Sequence, residues 1–177
     1  SLERMRDRLY AAFKRELAPI EGIAKTLQAL GIPFCVASSS QLERVRLSLE
    51  VTGLLDLFEG RMFSASMAAQ GKPAPDLFLM AAKGLGNRPS RCLVIEDSPA
   101  GVIAAQRAGM TVFGFLGGSH AQLAPHREAL EQLAPALIFS DMSLLPELID
   151  GHELSLTPEA GPFVVSVDVG TGSARAG

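Results

Sequence analysis

Short apolar runs alternate with amphipathic segments along most of the chain. Because the apolar runs lack the strict alternation of half-buried strands, they predict strands that are covered on both faces. They occupy residues 33–37, 61–64, 92–95, 111–115 and 137–139. Apolar residues at helical spacing predict helices at 2–17, 19–30, 41–51, 76–84, 100–108, 119–133 and 144–148. This succession predicts an α/β fold with a parallel sheet between two layers of helices.

Composition narrows the kinds of partner. Of the 177 residues 47% are hydrophobic, but no apolar stretch is long enough for a membrane helix, so we expect no membrane contact. A net charge of −3 gives no support for a nucleic-acid partner, and we expect a small molecule instead. Cys35 and Cys92 lie inside apolar runs, which predicts that both thiols are buried and not in a disulfide. The first residues of the sequence lack the pattern of a signal peptide. Both observations favour a cytoplasmic protein. His120, His126 and His152 lack the spacing of metal ligands, and we expect them to be solvated.

Polar side chains follow the predicted strands at several places. Ser38 ends the run PFCVAS, Lys72 lies in the turn QGKPAPDLF, and Glu96 with Asp97 ends the run CLVIED. Taken singly, these residues are a helix cap, a solvated lysine and acids that complement a helix dipole. Parallel strands, however, bring their carboxyl ends to one edge of the sheet, where ligands bind. Together, a hydroxyl, an ammonium and two carboxylates predict a site for a phosphate bound with Mg²⁺.

The order of these residues distinguishes two classes of protein that share such a set. Receiver domains also carry an acidic pair, a hydroxyl and a lysine on a parallel sheet, but their acids come first in the chain. Here the acids come last, and the segments VASSS, GKPAPDLF and VIEDSPAG resemble three motifs of the haloacid dehalogenase superfamily, in its β-phosphoglucomutase and sugar-phosphatase subgroup. The resemblance implies a Rossmann-like parallel sheet with helices on both faces.

The resemblance also implies a role for each candidate residue. Ser38 and Ser39 would bind the phosphoryl group, and Lys72 would neutralise negative charge there. Asp97 would ligate Mg²⁺, with Glu96 as a further ligand or a supporting partner. The implied activity is a Mg²⁺-dependent phosphatase of a small sugar or polyol phosphate that works through an aspartyl-phosphate. A sugar phosphomutase of the same superfamily and a non-catalytic regulatory domain stay open as alternatives.

The first motif of that superfamily, an Asp-x-Asp whose first carboxylate is the nucleophile, does not precede Ser38. Asp7 is followed two positions later by Leu9, within a charged helical segment. We therefore expect the sequence to be a fragment that lacks its nucleophile strand and has no turnover by itself. Residues 1–18 are expected to be a remnant of a helical cap, and residues 19–149 an incomplete core.

The end of the chain has a different character. Residues 150–162 contain two prolines and two glycines and predict a linker. Residues 163–177, FVVSVDVGTGSARAG, resemble the first strand and turn of carbohydrate kinases that include ribulokinases, which implies a fused kinase domain. We expect this tail not to join the core, unless another sheet edge captures it. An ordinary glycine turn is one alternative; the other, Asp168 as a circularly permuted nucleophile, is disfavoured because Gly170 stands where an acid/base is needed.

Overall fold

The structure is a computed structural model that describes residues 22–30, 33–117, 124–152 and 164–167. Its centre is a six-stranded sheet in which all paired strands are parallel. The strands are β1 Phe34–Ser38, β2 Met62–Ser64, β3 Cys92–Glu96, β4 Thr111–Phe115, β5 Leu137–Phe139 and β6 Val164–Val167. The helices are α1 Ile23–Leu30, α2 Leu42–Val51, α3 Leu55–Phe58, α4 Asp76–Gly84, α5 Pro99–Arg107, α6 Ala124–Gln132 and α7 Leu145–Gly151. The predicted α/β class is confirmed.

The core lies on both faces of the sheet, because alternate residues of each strand point to opposite faces. On one face, side chains of β1 and β3 pack with α1, α2 and α7; they are Phe34, Val36, Leu93 and Ile95. On the other face, side chains of the same two strands pack with α4, α5 and α6; they are Cys35, Ala37, Cys92 and Val94. Cys35 and Cys92 are both buried, as predicted. The strands carry continuous apolar runs because neither face of the sheet is exposed to water.

Most bounds of the elements lie close to the predicted ones, but α7 ends at Gly151, inside the predicted linker 150–162. Strand β4 and helix α4 have the predicted bounds, and β3 extends one residue further to include Glu96. Helix α3 was not predicted, because four residues are too few to show helical periodicity. The expected cap remnant at residues 1–18 lies outside the described residues. No helix in the described ranges is long and apolar enough to cross a membrane.

The last strand departs from the expectation that the tail stays apart from the core and matches the exception made for capture by a sheet edge. The order across the sheet is β2-β1-β6-β3-β4-β5, so residues from the end of the chain form a central strand. Val167 is in register with Val36 of β1 on one side and with Ile95 of β3 on the other. The edges concerned are those of β1 and β3, which leave space for one strand between them. Asp168 and the residues after it lie outside the described part, and the kinase resemblance stays a prediction.

Candidate functional site

Ser38 closes β1 at the carboxyl edge of the sheet. It is buried, and its Oγ accepts a hydrogen bond from the backbone N–H of Ser40 at 3.1 Å. The hydroxyl of Ser64, at the end of β2, donates to the carbonyl of Ser40 at 2.6 Å and so fixes the same turn from the neighbouring strand. Ser39 is exposed in this turn. The turn thus presents one buried and one exposed hydroxyl at the sheet edge.

Lys72 and Glu96 form a buried ion pair. Lys72 Nζ lies 2.9 Å from Glu96 Oε2, and the two side chains are 3% and 0% exposed. The same ammonium lies 5.0 Å from the centre of the Phe78 ring on α4, which provides a cation–π contact. Two charges withdrawn from water cost several kcal/mol each unless they are well paired. This ion pair holds the segment 71–75 against the end of β3, although the two residues are 24 positions apart in the sequence.

The second oxygen of Glu96 is held by the start of α5. Glu96 Oε1 accepts from the Ser98 hydroxyl at 3.1 Å and from the Ser98 backbone N–H at 3.4 Å. Ser98 is the N-cap of α5, and its Oγ accepts the N–H of Gly101 at 3.1 Å. A Cβ on Gly101 would overlap the Glu96 side chain. The glycine is required here because the buried carboxylate occupies the space beside the helix.

Asp97 follows Glu96 and has only 8% of its surface exposed. The imidazole of His126, on α6, lies within hydrogen-bonding distance of the Asp97 backbone carbonyl. Since a carbonyl only accepts, Nε2–H of His126 is the donor in this pair. The prediction that His126 is solvated was wrong. The contact joins α6 to the turn that carries the proposed metal ligand.

A magnesium ion fits the chemistry of this edge. Mg²⁺ is usually held by one or two carboxylates, with waters and substrate phosphate completing its shell. Asp97 supplies such a carboxylate, and the two oxygens of Glu96 bond to Lys72 and Ser98. Within the described ranges, no group of three or more His, Cys, Asp or Glu residues could hold a metal ion. The described residues therefore match a partial, carboxylate-based site.

The sequence prediction found some residues of this edge and missed others. The structure brings Lys72 and Glu96 into contact and places Ser38 and Asp97 at the same edge of the sheet. Ser98 was missed, although a serine before Pro99 is a typical helix N-cap signal. His126 had no such signal, because its role depends on how α6 packs.

Two other histidines were also expected to be solvated. His152 is half-buried, and its ring packs edge-on against Phe113 with 5.5 Å between ring centres, so that prediction was wrong. His120 lies outside the described residues.

The fold and the site define a class: an α/β protein whose parallel sheet presents a hydroxyl, a buried lysine and two carboxylates at one edge. The sequence profile of the haloacid dehalogenase-like hydrolases matches residues 2–109. The chain belongs to this family.

Curated relatives agree with the assignment. A 6-phosphogluconate phosphatase from Escherichia coli (strain K12) is 32% identical over 136 residues, which are 77% of this chain and 58% of the relative. A probable pseudouridine-5'-phosphatase from Drosophila melanogaster is 44% identical over 97 residues, 52% of this chain and 42% of the relative. The chain thus spans roughly half the length of these curated relatives.

A solved structure shows the same fold. A HAD-family hydrolase from Deinococcus radiodurans R1, with bound phosphate and sodium, is 38% identical with a TM-score of 0.67; the match covers 76% of this chain and 60% of that one.

Proposed function

We propose that this chain is part of a Mg²⁺-dependent phosphatase of a small sugar or polyol phosphate. The buried Lys72–Glu96 pair beside Asp97 is the observation that carries the proposal. A surface lysine would exchange its partners with water, whereas this ammonium is held in one place and can meet a phosphate with little reorganisation. The curated relatives with phosphatase names support the reaction class.

Each residue then has a distinct role. Ser38 donates its hydroxyl proton to a phosphate oxygen while its Oγ still accepts from Ser40, and Ser39 contributes a second, exposed donor. Lys72 balances the charge that gathers on the transferring group. Asp97 would hold Mg²⁺, which supplies Lewis-acid stabilisation of the phosphate oxygens when bound. Glu96 fixes Lys72 through one carboxylate oxygen, and its other oxygen accepts from Ser98.

The proposed reaction needs a carboxylate nucleophile to form the aspartyl-phosphate. We propose that an Asp-x-Asp strand of the longer protein supplies it, so that the 177-residue chain binds phosphate and Mg²⁺ without turnover. The central position of β6 raises the permuted alternative again, because Asp168 is the residue that follows Val167 in the sequence. The fused-kinase reading of residues 163–177 conflicts with the place of Val164–Val167 in this sheet, and we keep it as an alternative for the longer protein.

The test has a binding arm and a turnover arm. With the 177-residue chain, calorimetric titration of inorganic phosphate in the presence of Mg²⁺ should show binding that Lys72→Ala and Asp97→Asn each weaken at least tenfold. Ser40→Ala is the matched control for Ser38→Ala, because Ser40 takes part through its backbone rather than its side chain. Equal losses at Ser38 and Ser40 would show that the wrong serine has been assigned to the phosphate.

Turnover decides the source of the nucleophile. We expect no phosphate release from 6-phosphogluconate or hexitol phosphates by the 177-residue chain. We expect Mg²⁺-dependent release by the longer protein, lowered at least ~10² by Lys72→Ala or Asp97→Ala. Release by the short chain that Asp168→Asn abolishes would instead establish the permuted site. Movement of the phosphate to another carbon without release would identify a phosphomutase, and phosphate binding without turnover in the longer protein a regulatory domain.

A further inference from the structure

Asp97 lies between two residues that secondary structure holds in place. Glu96, before it, is paired with Gly114 of β4 as the last residue of the strand. Ser98, after it, is the N-cap of α5. Asp97 itself belongs to neither element, and the imidazole of His126 on α6 donates to its backbone carbonyl. A side chain from a third element thus bonds to the turn that carries the proposed metal ligand.

This contact bears on the direction of the Asp97 carboxylate. The peptide unit that joins Asp97 to Ser98 is planar; its carbonyl accepts from His126, and its N–H donates to Glu96 Oε1 at 3.4 Å. Because the bond angles at a Cα are nearly constant, the direction of its Cβ follows from the two flanking peptide units. The strand pairing of Glu96 holds one of these units, and the two hydrogen bonds hold the other. Loss of the His126 contact would therefore widen the range of directions open to the Asp97 carboxylate.

The packing of α6 directs His126 toward the sheet. His126 and Leu130 are four positions apart and therefore lie on one face of the helix. Leu130 is 0% exposed and His126 is half-buried, whereas Arg127 and Glu131 form an ion pair on the exposed face. The imidazole thus extends the buried face of α6 as far as the edge of the sheet that carries the candidate site.

Helix α6 is also joined to α5, the helix that begins two residues after Asp97. The side-chain amide of Gln106 on α5 donates to the carbonyl of Leu133, directly after α6, at 2.7 Å. Leu130 packs in one core cluster with residues of α5. These contacts keep the donor on His126 and the acceptor on Asp97 within reach of each other.

A hydrogen-bond partner of a metal ligand acts on the metal through that ligand. Removal of such a partner typically lowers metal affinity by about 10–100-fold. A contact that only joins two elements lowers stability when it is removed, and it leaves the affinity of the folded chain for the metal unchanged. The two roles of a buried contact therefore differ in a measurable quantity.

We propose that His126 is a positioning residue for the Mg²⁺ site: its imidazole N–H holds the Asp97 carbonyl and thereby orients the Asp97 carboxylate toward the metal. In this role His126 acts through Asp97 and does not itself bind the metal. The metal half of the inference rests on the proposed function, whereas the contact between His126 and Asp97 rests on the geometry alone.

The experiment uses the 177-residue chain with three replacements of His126. His126→Gln keeps an N–H donor at about the distance of the imidazole Nε2 from the main chain. His126→Asn carries the same amide on a side chain that is one methylene shorter, and His126→Phe keeps a planar ring without a donor. His152→Phe is the matched control, because its ring packs against Phe113 in the core cluster on the other face of the sheet.

The first readout is the apparent dissociation constant of Mg²⁺, taken from calorimetric titrations of inorganic phosphate at a series of Mg²⁺ concentrations. We expect His126→Phe and His126→Asn to raise this constant at least about tenfold. His126→Gln and His152→Phe should stay close to the wild type. An unchanged constant in His126→Phe, or equal constants in His126→Gln and His126→Asn, would overturn the positioning role.

Urea denaturation of each variant separates positioning from folding. A lower unfolding midpoint for His126→Phe, with the Mg²⁺ constant of the wild type, would show that the contact is only structural and would overturn the proposal. If His126→Phe does not fold, His126→Asn replaces it in each comparison, because an amide keeps this half-buried position polar.

A measurement without ligand separates this inference from the proposed function. The carbon-13 chemical shift of the Asp97 carbonyl should change in His126→Phe and return in His126→Gln, and an unchanged shift would contradict the contact itself. If the wild type binds no phosphate with Mg²⁺, the proposed function fails together with the metal half of the inference, and the carbonyl shift still decides whether His126 holds Asp97. If the wild type binds both and His126→Phe has the same Mg²⁺ constant, the positioning role alone fails.

Discussion

Replacement of Lys72 by methionine tests whether the buried ion pair determines the stability of the candidate site. Methionine keeps the unbranched apolar stem but removes the ammonium, so Glu96 loses a charged partner at 2.9 Å while its own side chain remains 0% exposed. Breaking one side of a buried pair costs about 3–5 kcal/mol, because the remaining charge stays desolvated. For a domain whose total stability is about 5–15 kcal/mol, this is a large fraction.

The structure provides the controls for this change. Lys83 lies on the exposed surface at the end of α4, so Lys83→Met should alter stability by no more than about 0.5 kcal/mol. The double variant Lys72→Met/Glu96→Gln removes both charges of the pair. It should be more stable than the sum of the single effects predicts, with a coupling of at least about 1 kcal/mol.

Urea denaturation followed by far-ultraviolet circular dichroism measures the free energy of unfolding, with the slope of the transition as a check that the folded state is unchanged. We expect the midpoint to fall strongly for Lys72→Met and hardly at all for Lys83→Met. The reasoning would be refuted if the two lysine variants lost the same free energy. It would also be refuted if the double variant showed no coupling, because the charges would then be solvated rather than paired.

Two further predictions concern a glycine and a thiol. Gly101→Ala should lower the melting temperature clearly, because the added Cβ overlaps the Glu96 side chain. Gly151→Ala is the control: this helical glycine has open space around it, so the change should be neutral or slightly stabilising. Equal effects of the two changes on the melting temperature would contradict the close approach of Gly101 to Glu96. Burial raises the pKa of Cys92 to about 11 from an ordinary 9.0. Alkylation of Cys92 by iodoacetamide at pH 8, followed by peptide mass spectrometry, should therefore be at least about a hundredfold slower in the folded chain than in urea, and equal rates would contradict the burial. Because the Cys92 thiol ionises at lower pH in the unfolded chain than in the folded one, the free energy of unfolding should fall between about pH 9 and 11, by up to about 1.4 kcal/mol per pH unit. The same fall in a Cys92→Ala chain would contradict the assignment of this effect to Cys92.

The sequence by itself determined the alternation of strands and helices and the type of the sheet. Continuous apolar runs such as Cys92–Glu96 have no exposed face, so only a sheet covered on both sides can bury them. The positions of Ser38, Glu96 and Asp97 at the carboxyl edge follow from this, since each stands directly at or after the end of a strand. These features are local or depend on chain order, and a pattern of residue types is enough to predict them.

Only the tertiary structure decided which distant groups meet. The pairing of Lys72 with Glu96 spans 24 positions, and the contact of His126 with the Asp97 carbonyl spans 29. No local preference encodes either contact, because each depends on how a separate segment packs against the end of β3. The need for glycine at position 101 likewise appears only once the Glu96 side chain occupies the adjacent space.

The central strand shows the same limit most clearly. A short β-branched run such as Val164–Val167 predicts a strand, but nothing in its sequence tells which edges it will pair with. In the folded chain the choice depends on β1 and β3, whose facing backbone groups have to be satisfied inside the core. Strand formation is thus a property of the segment, whereas its place in the sheet is a property of the space that the other strands leave.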